Sequence, residues 1–491
     1  MFLFFLSSGL FLGWSLGAND APNVFGTAVG SKMIRFKTAA ICCSIFILLG
    51  AVISGAGASQ TLGKLGSVNA IAGAFIVAFS AAASVYFMTK LGYPVSTSQA
   101  IVGAIIGWNF FSGSLTDYHT LSKIVITWVA CPALSAVIAL ILYKSLVFAI
   151  GRRKIDMFRL DSMTRYSLVI IGAFGAYSLG ANNIANVMGV FVPVSPFADI
   201  SFLGLFNLTS TQQLFFIGGI AIGIGVLTYS KKVMETVGEG IMKLSPIAAL
   251  VVVSAHSLVL FLFASQGLEA FLKHHGLPTI PLVPVSSSQA IVGAVIGIGL
   301  LKRGSGIRWR VLGGIGSSWV VTPIIAALVS FISLFFLQNV FEQKTYRPVS
   351  YSITSEAMDR IQKQGIPIED IEGLIGKEFP NAKTFYQVLQ RFKDLTADDR
   401  DYILMSSEID YMEITTEKLA TISFDPHWFT MKEKNDLEKL EGKKYKHKWQ
   451  LCEALAEISP RWRPLENEKK YNESLQHKLS HIFDKLRYPN N

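Results

Sequence analysis

Ten apolar segments, each long enough to cross a bilayer as a helix, limit what this chain can fold into more than any other feature. They cover about 2–27, 37–57, 68–90, 94–113, 122–150, 165–191, 212–230, 244–266, 283–301 and 311–340. In hydrocarbon a backbone polar group has no water to bond, so a spanning segment must close its hydrogen bonds internally, which takes about 20 helical residues. The chain is 51% hydrophobic and only 16% charged, against about 25% charged in a soluble protein. We therefore expect an all-α, multi-pass integral protein of the cell membrane, with about 10–12 transmembrane segments. The opening run MFLFFLSSGLFLGWSLGA lacks the charged start of a signal peptide and leads directly into a motif that recurs later, so it reads as the first span.

Charge separates two regions. Residues 1–340 hold 20 Lys and Arg against 8 Asp and Glu, whereas residues 341–491 hold 24 against 26. The basic residues of the first region sit in short loops between apolar segments. That is the pattern of membrane topology, and it argues against a nucleic-acid partner. Cys42, Cys43, Cys131 and Cys452 form neither a disulfide framework nor a zinc-ligand spacing.

Two passages of the first half return in the second. SLGANDAPNVFG at 15–26 recurs as SLGANNIANVMG at 178–189, and PVSTSQAIVGAIIG at 94–107 recurs as PVSSSQAIVGAVIG at 284–297. Trp128, Val129 and Pro132 follow the earlier copies as Trp319, Val320 and Pro323 follow the later ones. Three echoes in one order mark an internal duplication, with repeats at 1–150 and 151–340. The offset grows from 163 to 190, so extra residues lie between the first and second echoes of the later half.

Five segments per repeat is an odd number, so the two repeats are expected to be inverted. The loops agree. An outside N-terminus puts Lys32, Arg35 and Lys37 inside, with the six basic residues from Lys144 to Arg165, then Lys231, Lys232 and Lys243, and Lys302, Arg303, Arg308 and Arg310. The stretch 192–211 has no Lys or Arg and falls outside. Ten crossings would leave 345–491 outside as well. Inverted repeats are the plan of many secondary transporters, with the site near midplane between the repeats. A channel built from two halves would have the same topology.

Asp20 is the only carboxylate embedded in an apolar span. A charge at mid-bilayer costs roughly 2.5–3.5 kcal/mol on insertion scales, so Asp20 is expected to face a water path or a cation. Asn19, Asp20 and Asn23 correspond to Asn182, Asn183 and Asn186 of the second repeat, with glycines flanking both. Asn and Asp compete for backbone hydrogen bonds, and a broken helix offers carbonyls to a cation and N–H groups to an anion. Asn19, Asp20, Asn182 and Asn183 thus read as oxygen ligands of a cation such as sodium. Plain hydrogen bonding between helices, worth about 0.6–2 kcal/mol, is the simpler alternative.

Ser96, Thr97, Ser98 and Gln99, and likewise Ser286, Ser287, Ser288 and Gln289, follow a proline placed at a helix start. The free N–H groups and the dipole of a first turn make an anion site. Two such turns facing each other would hold a small tetrahedral oxyanion from both sides, and Ser-rich helix packing is the alternative. No Walker sequence and no catalytic set is present, so neither an enzyme nor a cofactor is expected. His256, the only histidine within a span, lacks a metal-ligand spacing and reads as a structural or gating residue.

These residues resemble the inorganic phosphate transporter (PiT) family. The resemblance rests on GANDAPNVFGTAVGSK, GANNIANVMG, ETVGEGIMKLSP at 235–246 and both PVS-x-SQAIVGA passages, and covers about residues 1–340. It implies sodium or proton symport of inorganic phosphate, a site between inverted repeats, and often a homodimer. By position it makes Asn19, Asp20 and Asn23 cation and phosphate ligands, mirrored by Asn182, Asn183 and Asn186, with sodium near Asp20 and Asn183. The Ser/Thr/Gln turns would complete the phosphate site, and Glu235 and Thr236 lie in a further family motif. The chain departs from the family at Asn183, usually Asp, at Ile47, where many members carry Glu, and at Gln99 and Gln289, often His. A sulfate or other oxyanion permease on the same scaffold is one alternative, and a phosphate-binding sensor is another.

From about 345 the sequence turns charged and helical in pattern, as in ITSEAMDRIQKQGIPIEDIEGLIGKEF. A small, mostly helical, soluble accessory domain is expected over 345–491, with the basic run Lys443–Lys448 as a solvated face.

Overall fold

The computed structural model describes the whole chain except residues 1, 67, 91–94, 153–154, 198, 203–205, 241, 243, 302, 305, 370, 423–428, 467 and 489–491. It forms two compact units. Met1–Ser112, Thr116–Phe197 and Thr209–Tyr346 make the first; Gly113–Leu115, Ala198–Leu208 and Arg347–Asn491 make the second.

The apolar part is carried by α1 (Phe2–Asn19), α2 (Ala21–Gly30), α3 (Phe36–Ser54), α4 (Ala56–Leu65), α5 (Ile71–Lys90), α6 (Thr97–Ser112) and α7 (Tyr118–Arg152). There follow α8 (Met157–Met188), α9 (Ser210–Gly240), α10 (Pro246–Leu262), α11 (Gln266–His274), α12 (Ser287–Leu301) and α13 (Trp309–Asn339). Among the described residues seven helices are long and apolar enough to cross a membrane, and α10 with α11, bent by 65°, would make an eighth. This is a multi-pass membrane protein.

Ten candidate spans were expected, some of them broken or re-entrant, and two of them are short helices. The segments 94–113 and 283–301 are the 16-residue α6 and the 15-residue α12. At 1.5 Å per residue they are about 24 and 22 Å long, short of the ~30 Å hydrocarbon core. Both begin in the protein interior, with Thr97 and Ser287 each 1% exposed. An apolar run reports burial, and burial against protein reads the same as burial against lipid.

Glycine seams join the helices in a reciprocal pattern. A Cβ on Gly17 of α1 would overlap the carbonyl of Ile222 on α9, and one on Gly225 of α9 would overlap that of Trp14 on α1. Gly50 of α3 meets the Tyr177 carbonyl and Gly180 of α8 meets that of Ile47. Gly103 and Gly107 of α6 lie against the carbonyls of Pro323 and Ala327 on α13, as Gly293 and Gly297 of α12 lie against those of Pro132 and Ala136 on α7. Small residues let backbones approach closely where lipid supplies no hydrophobic drive. Each of these four pairs joins a helix before residue 153 to one after residue 156.

The extra residues of the later half form structure of their own. One insertion carries the short antiparallel pair β1 (Ile200–Phe202) and β2 (Phe206–Leu208), and the other carries α11.

The second unit has short amphipathic helices and a small antiparallel sheet of β3 (Ser350–Ser352), β4 (Glu378–Phe379) and β5 (Glu408–Ile409), with β3 central. One apolar cluster includes Ile353, Ile361, Phe385 and Ile403; another includes Ile414, Leu451, Leu455 and Ile482. Asp410, buried, is held by both ends of the Arg487 guanidinium and by Lys448 at 3.5 Å. The run Lys443–Lys448 is partly ion-paired, since Lys444 meets Glu413 at 3.1 Å and Lys448 meets Glu408 at 2.6 Å. Burial lowers the Lys448 pKa, but Glu408 and Asp410 more than offset it and hold the ammonium above its usual value.

Candidate functional site

The first Asn motif lies at a break in the chain. α1 ends at Asn19, Asp20 is a one-residue turn that keeps right-handed helical dihedrals and its N–H bond to the Leu16 carbonyl at 2.7 Å, and α2 begins at Ala21 with Pro22 in its first turn. Proline has no N–H to return to the carbonyl four residues back, so Ala18 loses its helical partner and the helix divides beside Asp20. The second motif was expected to break its helix too, and it does not. α8 runs unbroken through Asn182, Asn183 and Asn186 to Met188, where it tightens into a 3-10 turn over Gly189–Val194. The counterpart of Pro22 is Ala185, an excellent helix former. Glycine and asparagine alone did not stop the helix.

Around Asp20 the contacts are local and polar. Asn19 Nδ2 donates to Asp20 Oδ1 at 3.1 Å and to the Val95 carbonyl at 3.0 Å. Thr97 Oγ1 donates to Asp20 Oδ2 at 2.9 Å. Thr89, which sequence reasoning did not single out, reaches Asn19 Oδ1 at 3.4 Å. Among the described residues no cationic side chain pairs with Asp20, which is 2% exposed.

The neighbouring residue on α6 reaches the other motif. Ser98 Oγ donates to the Val285 carbonyl at 3.1 Å and lies 3.3 Å from Asn183 Oδ1. Asn186 Nδ2 donates to Ser98 Oγ at 2.8 Å and to Asn183 Oδ1 at 2.9 Å. Asn182 is clamped at both ends of its amide, Nδ2 to the Val283 carbonyl at 3.1 Å and Oδ1 to the Val285 N–H at 2.8 Å. One turn of α6 therefore touches both motifs, through Thr97 and Ser98.

The two turns are built alike. Ser96 caps α6, its Oγ accepting from the Gln99 N–H at 3.2 Å, and Ser286 caps α12 through Gln289 at 3.2 Å. The prolines were expected at the helix starts; Pro284 instead precedes the cap by two residues, and Pro94 lies outside the described residues, as do the side chains of Glu235 and Thr236. Ser98 bonds the Val285 carbonyl, and Ser288 bonds the Val95 carbonyl at 2.6 Å. Asn23 Nδ2 crosses to Ser287 Oγ at 3.1 Å, and Ser287 also meets His256 Nε2 at 2.9 Å. His256 thus belongs to this cluster; its one signal in the sequence was being an ionisable side chain inside a span.

All fourteen residues singled out from the sequence fall in this region, and none is more than 5% exposed. Gln99 Oε1, Gln289 Oε1, Asn183 Nδ2, Asn186 Oδ1 and His256 Nδ1 are buried without a hydrogen-bond partner. Buried polar atoms are almost always satisfied, so five orphans in one cluster mark a place prepared for something polar. Among the described residues no group of three or more His, Cys, Asp or Glu is placed to hold a metal ion. The donor set is hydroxyls, amides and one carboxylate, which suits a hard, weakly held cation and an oxyanion.

The comparisons with known proteins bear on the same part of the chain. The family model described as "Phosphate transporter family" matches residues 16–330 and 277–407. A Methanocaldococcus jannaschii protein named "Putative phosphate permease" is 30% identical over 65% of this chain and 91% of its own length. The sulfate permease CysP of Bacillus subtilis is 28% identical over 66% of this chain and 86% of its own. A solved structure, "The sodium-dependent phosphate transporter", shares the fold with a TM-score of 0.57 at 23% identity, covering 69% of this chain and 98% of that one.

Proposed function

The chain belongs to the phosphate transporter family, and from that premise we propose that it carries inorganic phosphate across the cell membrane as a secondary active transporter, in symport with sodium or protons. One observation carries the reading. Two helix N-terminal turns and both Asn motifs, drawn from both halves of the sequence, meet in one buried polar cluster that holds a single carboxylate. The turns offer N–H groups and hydroxyls to an oxyanion: Ser96, Thr97, Ser98 and Gln99 on one side, Ser286, Ser287, Ser288 and Gln289 on the other, with Asn23 and Asn186. Asp20 and Asn19 supply the cation site, with Asn182 and Asn183 as its weaker counterpart. A bound cation would neutralise Asp20 and let the phosphate charge approach, which couples the two solutes.

The reciprocal glycine seams support two inverted five-segment repeats over 1–150 and 151–340, each half gripping the other. Burial of every site residue suits a site that opens to one side at a time, as alternating access requires. Residues 345–491 act as an accessory unit, a reading supported by relatives that 65% and 66% of this chain cover to 91% and 86% of their own length. A second reading, sulfate as the substrate, is favoured by the likeness to a sulfate permease.

Uptake of labelled phosphate into liposomes holding the purified protein tests the proposal. Accumulation driven by a sodium or proton gradient, reduced by arsenate more than by equimolar sulfate, is the expected result. Sulfate uptake with no phosphate uptake would establish the second reading.

A further inference from the structure

Two groups converge on Ser287. Asn23 Nδ2 donates to its Oγ at 3.1 Å, and His256 Nε2 lies 2.9 Å from the same atom. His256 stands on α10, outside all four motif passages, and is fully buried. We propose that His256 is a positioning residue of the oxyanion site, which turns Ser287 into a dedicated hydrogen-bond donor to the anion. This rests on the reading of the two turns as an oxyanion cradle.

Donor and acceptor capacity decides which way the bond runs. A neutral imidazole carries its proton on one nitrogen or the other. On Nδ1 the proton would find no acceptor within the protein, because that atom is buried without a partner there. On Nε2 it bonds Ser287 Oγ. A hydroxyl oxygen accepts through two lone pairs, and Asn23 and His256 then occupy both. The one capacity left to Ser287 is to donate its own O–H, at the first turn of α12.

Three neighbouring hydroxyls of the two turns show why this matters. Thr97 donates to Asp20, Ser98 to the Val285 carbonyl and Ser288 to the Val95 carbonyl. Their protons are committed within the protein, whereas that of Ser287 is free for a ligand oxygen. If Ser287 instead donated to the ring, it would offer the anion lone pairs and repel it.

Transport kinetics on full-length protein in liposomes test this, with phosphate, arsenate and sulfate offered separately. His256→Gln places an amide N–H near the position of Nε2, whereas His256→Met fills the space without a donor. We expect His256→Gln to keep KM for the preferred anion within about 3-fold of wild type, and His256→Met to raise it about 10-fold with little change in maximal rate. In a Ser287→Ala background the His256→Met effect should vanish. An unchanged KM in His256→Met, or an undiminished effect in the Ser287→Ala background, would overturn the proposal. Should His256→Met fail to fold, His256→Asn against His256→Gln decides it: the shorter amide should raise KM and the longer one should not, and equal values overturn the proposal. Wild type that carries none of the three anions would defeat the cradle reading itself, an outcome separate from any difference among the variants.

Discussion

Residues 15–26 and 178–189 share SLGAN and the NV-x-G ending, yet one helix is interrupted at a single residue, Asp20, and the other is continuous. The first has Asp20 and Pro22 where the second has Asn183 and Ala185. The proline divides the helix and the carboxylate stands at the division, so the charge and the freed backbone arise together. In α8 an amide occupies the same position inside an intact helix, bonded by Ser98 and Asn186. The two Pro-Val-Ser turns show the opposite behaviour. Caps, crossing serine bonds and helix length all agree between them. The Pro-Val-Ser turns have stayed symmetric, and the Asn motifs have diverged.

That contrast can be broken experimentally. The seams should be equally sensitive in both halves. Gly103→Val and Gly293→Val each drive a side chain into a proline carbonyl, so each should destabilise by about 3 kcal/mol or more, at the upper end of overpacking costs. Thermal melts of the detergent-purified variants read this, and damage confined to one half would deny the symmetry. Pro22→Ala is the next largest. It should restore a helical bond across the break and lower uptake about 10-fold, with folded yield unchanged or improved. Asn183→Asp is the mildest. Asn186 already directs a donor at Asn183 Oδ1, with Ser98 Oγ 3.3 Å away, so a carboxylate is accommodated there, and the sodium half-saturation for uptake should fall about 3-fold. No change would remove that position from cation coupling.

The parts of this architecture visible in the sequence were those that depend on periodicity and repetition. Seven of the ten apolar segments match helices long and apolar enough to cross a membrane, and all four motif passages meet where their duplication suggested. Whether α6 and α12 cross in full was not legible, because hydropathy does not distinguish a helix end buried in protein from one in lipid. The continuity of α8 was legible in Ala185, but glycine and asparagine drew attention away from the missing proline. His256 could not be placed, since its bond to Ser287 spans 31 residues and only the fold brings α10 against the first turn of α12.

The account rests on Asp20 coupling the cation while the paired turns hold the anion. Phosphate exchange and sodium-stimulated phosphate accumulation, measured on the same liposomes for wild type and Asp20→Asn, separate those roles. The prediction is that wild type shows both, and that Asp20→Asn keeps exchange within about 10-fold while sodium stimulation is lost. Undiminished sodium-stimulated accumulation in Asp20→Asn would contradict it.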